Sequence, residues 1–431
     1  MPTRQMNYVQ TTLPNGLRLI TTHMPGMRSA SIAFFFSVGS RYEQVAISGI
    51  SHFIEHMLFK GTQQYPSARL ISEAIEGVGG NFNGSTSKEL TNYTARVPGE
   101  YLPVVLRVMA DMLRHPLFDA NEIEKERKVI IEELSSTQDD PQEWVNLLID
   151  ETVWPELPLG RDDAGSIEIV SQIQRQQMLD YLDTYYRPNS LVISIAGNID
   201  HNQVIQLVTE LFGDWEARER PGWSECYPPR VVPSPVRMIQ KDTEQTNICL
   251  ATLGVAFGSP DYYPLLLING LLGDGMSSRL FQSLREERGL AYDIGSYFNS
   301  YYETGSFVVS AGVDPSRTED TVQGIIAEFS KLCREPVPVD ELVRIKAYVK
   351  GEILLGLEGT QQVASWLGSQ ECLYDRVWNV DDVIAQIDAV TIQDIQRVAQ
   401  TCLAPEWRRL AMIGPDDPCR AKHFEEMLAG A

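Results

Sequence analysis

Two stretches of this chain repeat one another at long range, and that limits the folds open to it. A helical pattern, then Arg187-Pro188-Asn189, leads into the strand-like LVISIAG ending at Gly197. Later, a helical pattern, then Ala404-Pro405-Glu406, leads into RRLAMIG ending at Gly414. Pro188 and Pro405 are 217 residues apart, as are Gly197 and Gly414. At a separation of 214, HFIEHMLFKG (52–61) can be laid on LLINGLLGDG (266–275). Self-similarity of this kind signals a duplicated domain. The densest proline stretch, PGWSECYPPRVVPSP from Pro221 to Pro235, separates the copies. Proline favours extended, non-helical chain, so this stretch reads as a linker. The expected organisation is one domain over 1–220, a linker over 221–236 and a homologous domain over 237–431.

Within each half, strand and helix patterns mix without a strict βαβ rhythm. LRLITTH and SASIAFFFSVG are rich in β-branched and aromatic residues and read as neighbouring strands. Helical patterns follow at about 67–77, 100–114 and 120–136. The expected fold class is α+β: two homologous domains, each a mixed or antiparallel sheet packed with helices. At 431 residues and 43% apolar composition the chain has material for large cores.

The net charge of −22, from 58 acidic and 36 basic side chains, argues against nucleic acid, which needs a basic face. It suits a cationic peptide partner. The six cysteines form no C-x-x-C pair and read as buried thiols in a reducing compartment. Met1–Gly16 holds no apolar run long enough for a secretory leader, and no 18-residue apolar stretch occurs to span a membrane. A cytoplasmic protein is expected.

The chemistry concentrates in GISHFIEHMLF. His52 and His56 are four apart in a helical segment, so their side chains share one face. Two imidazoles so placed can hold one Zn²⁺. Glu55, one residue before the second histidine, is placed to reach a water at the metal. H-F-I-E-H fits the inverted zincin pattern H-x-x-E-H. A catalytic zinc takes three protein ligands, and FDANEIEKERKVIIEELSS supplies the third. Asp119 followed by Glu122 resembles a helix N-cap with its capping-box partner. The apolar stripe of that helix runs through Ile123, Ile130 and Leu134, with Glu126 and Glu133 in the same register. Glu132 is off the stripe by more than a quarter turn, so register selects Glu133 as ligand. Glu126, two turns earlier, is placed to orient a ligand histidine. In the second half the corresponding positions are Leu266, Asn269 and Gly270, so one Zn²⁺ per chain is expected. GDGMSSR (273–279) lacks the lysine of a phosphate-binding loop.

These motifs resemble the insulinase (pitrilysin) family of inverted zincins, above all its short prokaryotic members akin to mitochondrial processing peptidase. The resemblance spans nearly the whole chain. It runs through LPNGLRLI (13–20), HFIEHMLFKGT (52–62), ERKVIIEE (126–133), PLGR (158–161), YYRPNSLVISIAGN (185–198) and SSRLFQSLREERGLAY (277–292). It implies that Glu133, separated from His56 by 76 residues, completes the metal site and that Glu126 is accessory to it. It also implies that Asn83, Gly84 and Ser85 lie on an edge strand that pairs with substrate backbone, although relatives often carry alanine where this chain has Gly84. Arg285 and Tyr292, seven apart, are implied to contact substrate near the scissile bond.

The function implied is a zinc metalloendopeptidase cleaving extended peptides or unfolded segments within an enclosed chamber. Because double-length family members carry the zinc motif and the Arg/Tyr pair in different halves, a homodimer is implied, each chain lending Arg285 and Tyr292 to its partner. The rival reading is a non-catalytic peptide-binding or structural relative of the same fold. Intact His52, Glu55, His56 and Glu133 speak against it.

Overall fold

The computed structural model describes residues 7–219 and 222–430. The expected boundary at Arg220 and Pro221, and residues 1–6, lie outside the described residues. The fold is α+β, built on two mixed sheets. Strands β1 (Tyr8–Thr12), β2 (Arg18–His23), β3 (Ser29–Phe36), β4 (Asn81–Thr86), β5 (Thr91–Pro98) and β6 (Leu191–Gly197) form the first, in the order β1-β2-β6-β3-β5-β4. Strands β7 (Val236–Gln240), β8 (Thr246–Leu253), β9 (Ala291–Ser300), β10 (Gly305–Val313) and β11 (Arg409–Gly414) form the second, in the order β7-β11-β8-β10-β9.

The 217-residue echo now has a physical form. Each echoing strand, β6 and β11, lies parallel to one neighbour (β2 or β7) and antiparallel to the other (β3 or β8). Beyond β3 or β8 the sheets continue antiparallel to an edge at β4 or β9, and β1 joins β2 antiparallel at the other edge of the first sheet. The two apolar strands β2 and β3, expected side by side, are separated by β6. All seven residues of β6 are buried. A strand so apolar on both faces has to lie inside a sheet, not at its rim.

The chain forms two compact units. One comprises Met1–Leu134, Asp162–Ser224 and Leu354–Asp381; the other comprises Ser135–Arg161, Glu225–Ile353 and Asp382–Ala431. Two segments thus lie outside the contiguous halves expected from sequence, and they are counterparts. The helix Pro141–Val153, which follows the long helix Ala120–Asp139, belongs to the second unit. There Val145, Leu148 and Ile149 pack on Cys249, Ala251, Val308 and Ala411. The helix Thr360–Tyr374, which follows the long helix Val339–Gly356, belongs to the first. Its Val363, Ala364 and Leu367 pack on Ile20, Ala33, Phe35 and Val192. The apolar stripe of a helix specifies that a sheet must cover it, but not which sheet.

The other face of the first sheet carries the core that positions the site. Phe36 packs between Tyr93 and Tyr186, with ring centroids 6.4 and 4.5 Å away, and the two phenol oxygens hydrogen-bond at 3.1 Å. Phe53, Ile54, Met57 and Leu58 of the helix Ile50–Leu58 are buried in this core. Each such side chain contributes about 1.5–3 kcal/mol through burial. Among the described residues no helix is long and apolar enough to cross a membrane.

Candidate metal centre

The helix Ile50–Leu58 carries the H-x-x-E-H residues, and its start is built unusually firmly. Gly49, the residue before it, has φ +93°, a conformation that costs an L side chain about 1–2 kcal/mol. A Cβ there would also stand 2.3 Å from the Ala164 carbonyl oxygen. The Glu43 carboxylate accepts the N–H groups of Gly49 and Ser51 at 2.7 and 2.8 Å, satisfying donors that a helix start leaves unpaired. Ser51 in turn donates to the Tyr181 hydroxyl at 2.9 Å. The apolar face anchors the helix, while the half-buried His52 and His56 sit on another face, their ring centroids 4.6 Å apart.

The long helix Ala120–Asp139 brings the acidic partners. Asp119 caps it, accepting the N–H groups of Asn121 and Glu122 at 2.9 and 3.2 Å. Glu122 turns outward to Lys125 at 2.5 Å. Arg127 fixes the placement of the helix. Its guanidinium lies 5.3 Å from the centre of the Phe53 ring and donates to the carbonyls of Val170 and of Ile173, the latter at 2.8 Å. Ile123, Glu126, Ile130 and Leu134 form the buried stripe, as register predicts. Glu133 does not share that burial; its side chain is 47% exposed. Seven residues drift about 20° from a straight line on an α-helix, so one stripe glutamate is enclosed and the next reaches the margin.

There Glu133 Oε2 lies 3.5 Å from Nε2 of His56, and Glu126 Oε2 lies 3.2 Å from the opposite ring nitrogen, Nδ1. Glu126 Oε1 is held by Lys60 Nζ at 2.7 Å. One donor atom each from His52, His56 and Glu133 falls within 4.8 Å of the others. Among the described residues no other three His, Cys, Asp or Glu side chains converge so. Two imidazole nitrogens and one carboxylate oxygen are a donor set that fits zinc with a coordination position left open. A carboxylate on the far nitrogen of a ligand histidine is the usual orienting partner, and His56 has it. His52 departs from that pattern, since its Nδ1 is buried with no hydrogen-bond partner among the described residues.

Burial shapes the charge states. The His52 imidazole is pushed down to about 4, first by burial and then by His56, so it is neutral at pH 7 with a lone pair to offer. Glu55 is 8% exposed, and burial raises its pKa above the usual carboxylate range. A hydrogen bond from Thr86 and the proximity of His56 oppose that rise, while Glu133 adds to it. Thr86 Oγ1 donates to Glu55 Oε2 at 2.7 Å.

Asn83, Gly84 and Ser85 lie on β4, the terminal strand of the first sheet beside the site helix. Asn83 and Ser85 are exposed, whereas Gly84 faces Glu55. Arg285 and Tyr292 belong to the second unit. Arg285 lies in the π-helical segment Phe281–Glu287, its guanidinium 4.8 Å from the centre of the Phe281 ring. Tyr292, in β9, is 59% exposed. At the pseudo-equivalent of the site helix, Tyr262–Leu272, Asn269 accepts a hydrogen bond from Ser296 at 2.7 Å and Gly270 packs against Ile345. Sequence reasoning missed Glu43, Lys60, Thr86 and Arg127. Lys60 follows His56 by one turn and Thr86 follows Gly84 by one strand repeat, so both were findable from spacing.

Comparisons with known proteins identify the family. The family model described as insulinase (peptidase family M16) matches residues 18–165, and that described as the peptidase M16 inactive domain matches residues 172–349. A Streptomyces coelicolor protein called an uncharacterized zinc protease is 36% identical over 428 residues, covering 97% of this chain and 92% of its own. A Bacillus subtilis protein of the same description is 35% identical over 404 residues, covering 94% of this chain and 97% of its own. Among solved structures, a protease from Helicobacter pylori aligns with a TM-score of 0.89 at 22% identity, covering 95% of this chain and 100% of that one. The chain belongs to the insulinase family, peptidase family M16.

Proposed function

We propose that this protein is a zinc metalloendopeptidase that cleaves extended peptides or unfolded segments. The observation that carries the reading is the convergence of His52, His56 and Glu133 beside the buried carboxylate of Glu55, on a helix flanked by an edge strand. His52, His56 and Glu133 hold one zinc ion, and Glu126 keeps His56 turned toward it. Zinc, when bound, supplies a Lewis acid that polarises a carbonyl and makes water easier to deprotonate. Glu55 takes a proton from the attacking water as the new C–O bond forms. It then returns that proton to the amine nitrogen as the C–N bond breaks. A carboxylate raised by burial suits both transfers better than one at its ordinary value. No covalent acyl-enzyme is required.

The peptide is held by strand addition to β4, where main-chain hydrogen bonds bind extended chain with little regard for sequence. Arg285 and Tyr292 contact substrate near the scissile bond. Tyr292 is exposed, and the Arg285 guanidinium lies over the Phe281 ring. The working unit is a homodimer, each chain lending this pair to the other. The six cysteines are free thiols, which supports a reducing, cytoplasmic setting. Zinc content and turnover of a generic peptide panel, measured on one preparation of wild type and Glu55→Gln, test the reading. Wild type should bind one zinc and cleave, and the variant should keep the zinc and lose cleavage. Zinc without cleavage in wild type would instead mark a peptide-binding relative, and substantial activity in Glu55→Gln would remove Glu55 from the mechanism.

A further inference from the structure

Side chains alternate along β4, and this divides its residues by task. Asn81, Asn83 and Ser85 are exposed, while Phe82, Gly84 and Thr86 are half-buried on the side of the site helix. Phe82 packs against Phe59 with the rings tilted and their centroids 5.5 Å apart, which ties the strand to the end of the helix. A Cβ at position 84 would lie 2.9 Å from both Cγ and Oε1 of Glu55, so glycine leaves the room that this carboxylate occupies. Two residues on, Thr86 Oγ1 donates to Oε2 of the same carboxylate at 2.7 Å. One strand thus places both oxygens, one by a hydrogen bond and the other by space left open. Glu55 is 8% exposed, so water offers few competing partners.

We propose that Thr86 is a positioning residue that holds the Glu55 carboxylate in register for proton transfer, so that the edge strand which pairs with peptide also sets the base. The inference rests on the reading of Glu55 as the base. Without the Thr86 hydroxyl the carboxylate keeps its cavity but loses the bond that selects one orientation within it. Misplacement of a reacting group by about 1 Å costs up to about 100-fold in rate. Because β4 is an edge strand, peptide pairing along it steadies Thr86 and thereby the base. A substrate that fills the strand therefore turns over faster than a truncated one, beyond any gain in binding.

Thr86→Val keeps the shape of the side chain and removes the donor, and Thr86→Ser restores the donor without the methyl. Both are compared with wild type in the full-length, zinc-loaded protein by metal analysis, thermal unfolding, kcat and KM on one extended peptide, and crystal structures of each. Thr86→Val should retain one zinc and the wild-type unfolding temperature, hold KM within about twofold, and lose about 10- to 100-fold in kcat. Its Glu55 carboxylate should be displaced. Thr86→Ser should recover most of the lost kcat and hold the carboxylate in place. The proposal is overturned by a Thr86→Val kcat within about threefold of wild type, by an equal loss in Thr86→Ser, by an unmoved Glu55 in Thr86→Val, or by zinc lost from that variant. Failure of the underlying reading is visible separately, in a wild type that binds zinc and cleaves nothing or a Glu55→Gln that still cleaves; either takes this proposal with it.

Discussion

Replacing Glu43 by glutamine should change how the stability of the metal-free protein depends on pH. The Glu43 carboxyl is 4% exposed, and burial raises its pKa from 4.5 to about 7 against the pull of two backbone N–H groups, with Asp163 adding to the rise. The folded value lies above the unfolded one, so the folded state binds more protons between them. Stability from this group is complete below about 4.5 and is lost as pH rises through about 7. The displacement is worth about 3 kcal/mol, of which about 2.5 kcal/mol falls between pH 5 and 8. His52 works in the opposite sense. Its pKa falls from 6.5 to about 4, so its contribution is present above 6.5 and lost as pH drops toward 4. The two terms oppose each other in a wild-type profile, and the difference between wild type and Glu43→Gln isolates the first.

The amide does not titrate. It puts an NH2 donor where the carboxyl group has its second oxygen, so one of the Gly49 and Ser51 N–H groups loses its partner at a flat cost of about 1–3 kcal/mol. Urea unfolding of both proteins at pH 5, 6, 7 and 8 should show the wild-type advantage shrinking by about 2.5 kcal/mol across that range. A constant gap, or one that widens with pH, would refute the assignment of a raised pKa to this buried cap.

Three further outcomes are expected. Glu133→Gln should weaken zinc binding far more than Glu132→Gln, measured by chelator competition, because Glu133 converges on the histidines while its neighbour is exposed on another face. Gly49→Ala should destabilise the protein by at least about 2 kcal/mol in urea unfolding, from a positive φ joined to a Cβ clash with backbone. If each active site borrows Arg285 and Tyr292 from a second copy, mixing Glu55→Gln with Arg285→Ala, each inactive alone, should restore activity on subunit exchange; inactivity despite proven exchange would rule out sharing in trans.

What the sequence made legible were relations within one element. Spacing of four placed His52 and His56 on one helix face, and register separated Glu133 from Glu132. The long echo anticipated a sheet motif used twice, with Pro188 and Pro405 ahead of equivalent strands. Relations between elements were harder to see. Glu133 was assigned a place in the core because 126 and 133 share a heptad position, yet the drift of a real helix carries it to the margin. The reciprocal placement of Pro141–Val153 and Thr360–Tyr374 was invisible for a related reason. Both helices carry apolar faces that either sheet would accept, and nothing local distinguishes them.

Glu43 shows why the remaining part was hidden. It lies outside the helix it caps, in a segment without helical or strand period, and its partners are backbone N–H groups that no side-chain pattern records. Gly49 turns the chain with positive φ, and its N–H points back at residue 43. Either residue alone is an ordinary loop glycine or glutamate. Together they fix the axis on which His52 and Glu55 are carried, and a small error there is multiplied at the side-chain tips. The candidate ligands could be found from spacing because a metal demands fixed spacings. The residues that aim them answer to the path of the backbone, and that path becomes explicit only when β4, the site helix and the loop before it are placed together.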